Sequence, residues 1–413
     1  MFRRKTVTPQ SVLWIPAQDL PTSPAHTFYE RLNRALAKID FGTAVRARCA
    51  PHYMEEGRGG RPGIDPEVYF KMQMIGFFEN LPSERAIAAR CADSLAVRQF
   101  LRYALTESTP DHSSLTLIRQ RLPGAVYEAV FAQVLRALKK HHLLKGRRLA
   151  IDASVLEANA SLRSLEHRLT GEAYAEYVKR LAAAAGVDAA DPVAVRRFDR
   201  RRPGRKTSNR DWQHPADPDA KIGPLKRGGT RMIYKPEHLV DLDTGAIVDA
   251  DVRPGDEADT AQLADRVLKA EARLNRALGA AGDTARWAVL VGDRGYHDPL
   301  ELATLQAEGI RTAIPDRVPT RPPGRLTAVL QRAVDAAARM AGSVLGRAWL
   351  RRRGEHVERS FAHVLDHGGA RRTTLRGRAN VRKRYLAQTM TMNLSLLMRR
   401  LTGLGTPKQA LAT

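Results

Sequence analysis

From Arg147 onward the spacing of apolar residues changes, and the order of the elements beyond that point restricts the fold more than any other feature of the chain. Up to His142 apolar residues recur at helical spacing. Residues 147 to 154 then hold Leu149-Ala150-Ile151-Asp152, a short apolar run ending in an acid, which predicts a strand. Thr230 to Val240 and Gly245 to Val252 read as two more strands, joined through Asp241-Leu242-Asp243-Thr244-Gly245, where Thr-Gly suits a tight hairpin turn. Asp256 to Leu278 reads as a helix, Trp287 to Gly292 as a buried strand, His297 to Glu308 as a helix, Ile310 to Ile314 as a strand, and the stretch around Glu358 as a helix. Three strands in succession, then strands alternating with helices, call for one mixed sheet with helices on both faces.

That order matches a ribonuclease-H-like α/β fold, expected over residues 146–161 and 228–400. The part before it reads as all-α. Asp65 to Asn80 predicts a helix with Tyr69, Met72, Ile75 and Phe78 inward. Ser83 and Asp111 are cap signals for two more helices, and Ala125 to His142 is a longer one. In the helix after Asp111, Leu115, Ile118 and Leu122 share a face, with Arg119 and Arg121 off it. Short helices with exposed arginines suit a helix-turn-helix reader of DNA, and equally a plain helical scaffold. Residues 60–145 are therefore expected to be a helical DNA-binding domain. Residues 1–60 would be an N-terminal extension, with Arg58-Gly59-Gly60-Arg61-Pro62-Gly63 breaking any helix, and 401–413 a tail. Residues 162–227 read as a charged insert, a helical arm plus a flexible basic loop, because Arg196 to Arg210 holds eight Lys/Arg against one Asp. Residues 317–353 open with Pro319, Pro322 and Pro323 and continue as a helix ending in Arg351-Arg352-Arg353.

Three acids stand out against this frame. Asp152 and Asp293 each end an apolar run, and Glu358 follows Val357 on a helix whose apolar face is Val357, Phe361, Val364 and Leu365. Two strand-end aspartates and a helix glutamate are what a sheet needs to hold divalent metal beside a phosphate. The bland readings are a turn cap for Asp152, a strand-end turn residue for Asp293, and a role for Glu355 or Glu301 in place of Glu358. Asp256 and Asp259 read as helix N-terminal residues favoured by the dipole, His238 and Asp241 as hairpin surface residues, and Asp243 as a turn residue. The net charge of +24 calls for a polyanionic partner, nucleic acid first and an anionic membrane surface second. After Asp366 there are ten Lys/Arg and no acid, which suits a phosphate track. No apolar stretch approaches the ~20 residues of a spanning helix, and only a short apolar patch follows the basic Met1-Phe2-Arg3-Arg4-Lys5, so neither a membrane role nor a secretory signal is expected. Cys49 and Cys91 have no metal or redox spacing and read as inert thiols of a reducing cytoplasm. No glycine loop with Lys-Ser/Thr is present, so no nucleotide cofactor is expected.

Several blocks fall in a familiar order. They are Leu81-Pro82-Ser83-Glu84-Arg85, Ala92-Asp93-Ser94-Leu95, Pro110-Asp111-His112-Ser113-Ser114-Leu115, Ile151-Asp152-Ala153-Ser154 with Ala158-Asn159-Ala160-Ser161, Asp217-Pro218-Asp219-Ala220, Val252-Arg253-Pro254-Gly255-Asp256-Glu257-Ala258-Asp259-Thr260, Asp293-Arg294-Gly295-Tyr296, Gly309-Ile310, Ile314-Pro315, Val357-Glu358-Arg359-Ser360-Phe361 and Leu375-Arg376-Gly377. Together, from about residue 60 to 408, they resemble a DDE transposase of a bacterial insertion sequence.

The resemblance implies Asp152, Asp293 and Glu358 as catalytic and metal-holding residues, with Mg²⁺ as cofactor and Mn²⁺ as substitute. It implies cleavage at inverted-repeat element ends and strand transfer into target DNA. The partners would be double-stranded element-end and target DNA, with a homodimer or larger assembly on DNA, in the cytoplasm of a bacterium at its nucleoid. Competing readings are a nuclease of the same fold without strand transfer, and a catalytically silent DNA-binding protein. The chain departs from the family around the glutamate, where Tyr, Arg and Lys are usual at offsets −7, −4 and +7 but Arg351, Gly354 and Leu365 stand. The basic roles could pass to Arg351, Arg352 and Arg353, to Arg359, or to Arg371 and Arg372. With Arg119, Arg121 and Arg376 these are the candidate DNA contacts.

Overall fold

The computed structural model describes residues 16, 20, 22–53, 63–204, 208–225, 228–279, 286–316 and 326–410. The expected break at 58–62, the prolines at 319, 322 and 323 and part of the basic run, 205–207, lie outside the described residues.

Among the described residues seven α-helices come first: α1 (Pro24–Lys38), α2 (Phe41–Cys49), α3 (Pro66–Phe78), α4 (Glu84–Asp93), α5 (Leu95–Leu101), α6 (His112–Arg121) and α7 (Gly124–Lys140). The cap signals act as read. Asp65 accepts from the Glu67 amide, Ser83 from Ala86 and Asp111 from Ser114, each satisfying an orphan donor of its first turn. Residues 22–53 are not an extension. Helices α1 and α2 pack on α5, α3 and α7, and Phe28, Leu32, Phe41 and Val45 are fully buried in the shared core.

The sheet comes next: β1 (Arg148–Ala153), β2 (Leu156–Glu157), β3 (Glu166–His167), β4 (Trp212–Gln213), β5 (Lys221–Pro224), β6 (Thr230–Asp241), β7 (Ile247–Pro254), β8 (Val289–Val291) and β9 (Arg311–Ala313). Its backbone order is β7-β6-β1-β8-β9, antiparallel from β7 to β1 and parallel from β1 to β9. β2 and β5 extend the long β6. Consecutive strands β6 and β7 meet through a hairpin. The parallel neighbours β8 and β9 need crossovers, supplied by α10 (Leu263–Gly279) and α11 (Pro299–Ala307). This is the ribonuclease-H-like arrangement.

Helices α8 (Tyr174–Ala184) and α9 (Pro192–Arg201) form the arm, with their own small core of Val178, Ala182 and Val195. Two details differ from the sequence reading. Arg196 to Arg201 are helical rather than loop, because Asp191 caps α9 and Val195 anchors it. β5, inside the expected insert, belongs to the main sheet. Trp212 of β4 closes the arm's base, edge-on to His167, Tyr174 and Tyr177.

The last part holds α12 (Ala328–Gly342), α13 (Val344–Phe361), α14 (Arg378–Thr402) and α15 (Pro407–Ala410). Ser343 ends α12 and caps α13, where one helix was expected up to Arg353. α13 crosses β1, β6, β8 and β9. α14 runs through the middle of the protein against α3, α7 and β7, with Leu386, Met390, Leu394 and Leu397 buried. Its Asn393 side chain pairs with Ile247 as a strand neighbour would, accepting from the amide at 3.0 Å and donating to the carbonyl at 2.8 Å.

Candidate active site

The register of the parallel pair places the two aspartates. Ala150 lies opposite Val291, so each strand, continued two residues, brings Asp152 beside Asp293. Each carboxylate is then oriented by backbone. Asp152 Oδ1 accepts from the Ala153 amide at 2.8 Å, and Asp293 Oδ1 from Gly295 at 2.8 Å, capping the 3₁₀ turn Arg294–Tyr296. Their other oxygens converge on one cation. Arg353 Nη2 stands 2.9 Å from Asp152 Oδ2 and 3.1 Å from Asp293 Oδ2, while its Nε donates to the Ile151 carbonyl at 3.3 Å. Two carboxylate oxygens that share a single guanidinium nitrogen are a donor set a hard divalent ion would accept.

Glu358 does not join them. It is exposed on α13, five residues past Arg353, which at ~100° per residue puts it about 140° round the helix. Among the described residues no three His, Cys, Asp or Glu side chains come close enough to hold a metal ion. The expected trio is therefore a pair plus an arginine in this structure, with Glu358 on the flank of the face formed by Val357 and Phe361. Neither rival glutamate takes its place: Glu355 is exposed, and Glu301 accepts from the Ala264 amide at 2.6 Å, holding α10 against α11.

A buried network supports the Asp293 turn. Glu237, 3% exposed, accepts from Arg253 Nη1 at 2.9 Å, Arg266 Nε at 3.0 Å and the Tyr296 hydroxyl at 3.1 Å. The two arginines also grip the carbonyls of Ala258 and Asp259. This fixes residues 256–262 as a loop ahead of α10, so Asp256 and Asp259 are not helix residues, as the sequence suggested. Asp259 instead pairs with Lys235 at 3.0 Å, and its carboxylate lies beside Gly295. A methyl on Gly295 would sit 2.9 Å from Asp293 Oδ1 and 3.3 Å from Asp259 Oδ2, so only glycine leaves both acids where they are. Burial and Glu237 hold the Tyr296 hydroxyl protonated, well above its ordinary pKa.

The hairpin residues are buried too. His238 and Asp241 are wholly inaccessible, not surface residues. Asp241 accepts from the amides of Lys145, Gly146 and Asp243. Asp243 pairs with Arg148. His238, opposite Asp152 in the β1–β6 ladder, clamps α13: its ring stacks on Phe361 at 4.2 Å, Nδ1 meets Ser360 Oγ at 2.8 Å and Nε2 meets the Tyr385 hydroxyl at 2.6 Å. Ser360 spends its proton on the Val357 carbonyl, so Nδ1 carries the imidazole proton and Nε2 accepts from Tyr385. Burial pushes His238 down to about 3.

The candidate DNA contacts divide. Arg119 is turned inward and paired with Glu84, 6% exposed, which corrects its reading as a surface residue; α6 shows Leu117 to solvent instead. Arg121 is exposed, its guanidinium over the Tyr53 ring. On α13, Arg351 and Arg359 are exposed. Arg352 reaches His356 and the Asp243 carbonyl, and Arg353 is taken by the aspartates. Arg371 pairs with Asp366, Arg372 lies 3.9 Å from Glu157, and Arg376 donates to the Asn159 carbonyl, all three at the surface. Part of the acid-free tail is matched from elsewhere: Arg382 pairs with Glu128 and Asp251, and Arg384 is buried. Cys49 and Cys91 are free, and burial raises their thiols to about 11 and about 12, which keeps them inert. Among the described residues no helix is long and apolar enough to cross a membrane.

The comparisons with known proteins bear on this geometry. A transposase domain model (DUF772) matches residues 20–121, which contain the helical body up to α6. A transposase DDE domain model matches residues 196–394, which contain Asp293, Arg353 and Glu358 but not Asp152. No curated protein matches. Among solved structures, the Mos1 transposase paired-end complex with left transposon end aligns at 10% identity over 76% of this chain and 83% of that chain, with a TM-score of 0.19, too loose a superposition to carry an argument. Two transposase models, in this order and over most of the chain, with a ribonuclease-H-like sheet bearing paired aspartates, place this chain in the DDE transposase family, and its function is DNA transposition.

Proposed function

We propose that Asp152 and Asp293 are the catalytic carboxylates of a metal-dependent polynucleotidyl transferase, with Glu358 as the third. The observation that carries this reading is the pair itself: two strand-end acids from adjacent parallel strands sharing one cation. Mg²⁺, or Mn²⁺ in its place, would be held by these carboxylates and would supply charge neutralisation at the phosphate and activation of the attacking oxygen. The chain's own part is to fix the acids. Ala153 and Gly295 amides aim them, and the Glu237 network holds the turn that carries Asp293. Arg351, two turns before Glu358 and on the same flank, and Arg359 are exposed on α13 and are assigned phosphate contacts in this reading.

Water attacks a phosphorus at the element end, a P–O bond forms as the bond to the 3′ oxygen breaks, and a 3′-hydroxyl leaves. That hydroxyl then attacks a target phosphodiester, expelling a second 3′ oxygen. No bond from protein to DNA is needed. Two ends have to be joined in concert, so the working form on DNA is a dimer or larger. Exposed Arg121, Arg372 and Arg376 are proposed as further contacts to element-end or target DNA, with Arg371 beside them once its pairing with Asp366 yields.

The test is Asp152→Asn and Asp293→Asn in a strand-cleavage and strand-transfer assay alongside a gel shift. Each should abolish cleavage and leave end binding nearly unchanged. Cleavage retained in either variant overturns the assignment, and nicking without joining in the unaltered protein moves the reading to a nuclease.

A further inference from the structure

We propose that Arg353 is the resident counter-ion of the Asp152–Asp293 pair. It bars a divalent ion from both carboxylates until DNA phosphate draws it away, so that metal and element end enter the site cooperatively. This rests on the reading that the two aspartates hold metal.

The run Arg351-Arg352-Arg353 offers three guanidiniums, and the helix sorts them. Arg351 is exposed, Arg352 is engaged with His356 and the Asp243 carbonyl, and Arg353 alone turns to the sheet, its side chain only 13% exposed. One of its nitrogens bridges an oxygen of each aspartate, the position a shared metal ion would need. The bridge is anchored at a third point, the Ile151 carbonyl, so it is a held conformation and not a surface side chain at rest. Arginine cannot leave by losing its proton, since its charge persists across the whole working pH range. A divalent ion entering beside it meets like charge, so one cation has to displace the other. Asp293 is the open side of the pair, 48% exposed against 21% for Asp152, and gives the approach. What can compete for a guanidinium on equal terms is a phosphate, which accepts it bidentately. An incoming DNA backbone therefore provides both the partner that removes Arg353 and the substrate that the freed acids need. Off DNA, Arg353 offsets one of the two negative charges, occupies both carboxylates and keeps the site without its metal.

The experiment is Mn²⁺ titration, by electron paramagnetic resonance of free ion, of the full-length protein without DNA and with an element-end duplex, corrected for Mn²⁺ bound by duplex alone. Arg353→Gln should bind Mn²⁺ tighter than the unaltered protein off DNA by about tenfold or more, the size of a modest coupling. The duplex should tighten the unaltered protein by a similar factor and the variant little. Equal off-DNA affinity of the two proteins overturns the proposal. Should Arg353→Gln not fold by circular dichroism, Arg353→Lys serves: with the charge kept but the bridge and its third anchor lost, tighter off-DNA binding supports the proposal, and unchanged off-DNA binding together with no duplex effect on the unaltered protein overturns it. Adding Asp152→Asn to Arg353→Gln separates the two readings. Loss of the gained affinity places the metal on the aspartates, and full retention means that the metal lies elsewhere and the proposed function fails first.

Discussion

Replacing His238 by glutamine should remove much of the acid sensitivity of α13, the helix that lies over the candidate active site. In the fold the imidazole is neutral, proton on Nδ1, packed between β6, α13 and α14, and burial holds its pKa at about 3. In the unfolded chain it returns to about 6.5. Between those values the unfolded state binds a proton that the folded state refuses, so stability is fully present above about pH 6.5 and is lost as pH falls towards 3. From the two pKa values, moving from pH 7 to pH 5 should cost about 2 kcal/mol through this one group, and about 4 kcal/mol by pH 3. Glutamine cannot titrate. It can still donate to Ser360 and accept from Tyr385, but it loses the ring stack on Phe361, so it should cost about 1–3 kcal/mol at pH 7. Urea unfolding of both proteins at pH 7 and pH 5 gives the double difference, in which every other titrating group cancels. The unaltered protein should lose about 2 kcal/mol more than the variant over that interval. Equal losses would refute the reasoning. Hydrogen exchange should locate the effect in α13, because Ser360 and Phe361 are what the ring holds.

Arg119→Ala should destabilise by about 3–5 kcal/mol, because it strands Glu84 as a buried unpaired charge, while element-end binding per folded molecule stays unchanged; weakened binding at unchanged stability would contradict its inward placement. Gly295→Ala should lower single-turnover cleavage by about 10²-fold with little loss of fold, since the new methyl displaces the Asp293 carboxylate; normal cleavage would show that Asp293 tolerates the shift. Chelator should stop cleavage and weaken end binding by no more than the about tenfold coupling between metal and duplex, and Ca²⁺ should support assembly better than chemistry; full activity in chelator would end the metal mechanism. Glu358→Gln should abolish cleavage where Glu355→Gln does not, and the reverse pattern would transfer the role.

What was legible in the sequence was local. An apolar run closed by an acid marks a strand end whatever surrounds it, so the strand ends at Asp152 and Asp293, the hairpin and the succession of elements along the chain could be read directly. What was not legible depends on elements far away in the chain. His238 resembles hairpin surface until α13 and α14, more than a hundred residues later, cover it, and Asp241 until the amides of Lys145 and Gly146, nearly a hundred residues earlier, are brought onto it. Asp256 to Asp259 have a helix-start composition, but the loop carbonyls are claimed by Arg253 and Arg266, so α10 begins only at Leu263. Arg353 was visible as one of three identical side chains, and only the rotational setting of α13 on the sheet distinguishes it. Arg119 carries no local sign that Glu84, on another helix, waits inside.

The path of α14 has a consequence in time. It fills the space between α3, α7 and the sheet, yet it begins roughly 240 residues after α7 ends. At about 5–20 residues per second the helices of the N-terminal body wait on the order of 10–50 s for the element that completes their core. A chain interrupted anywhere in that interval lacks a finished N-terminal body, whatever it retains of the acidic site. On the proposed function, truncated products should therefore not persist as element-end competitors of the whole chain, and recognition and chemistry would become available together.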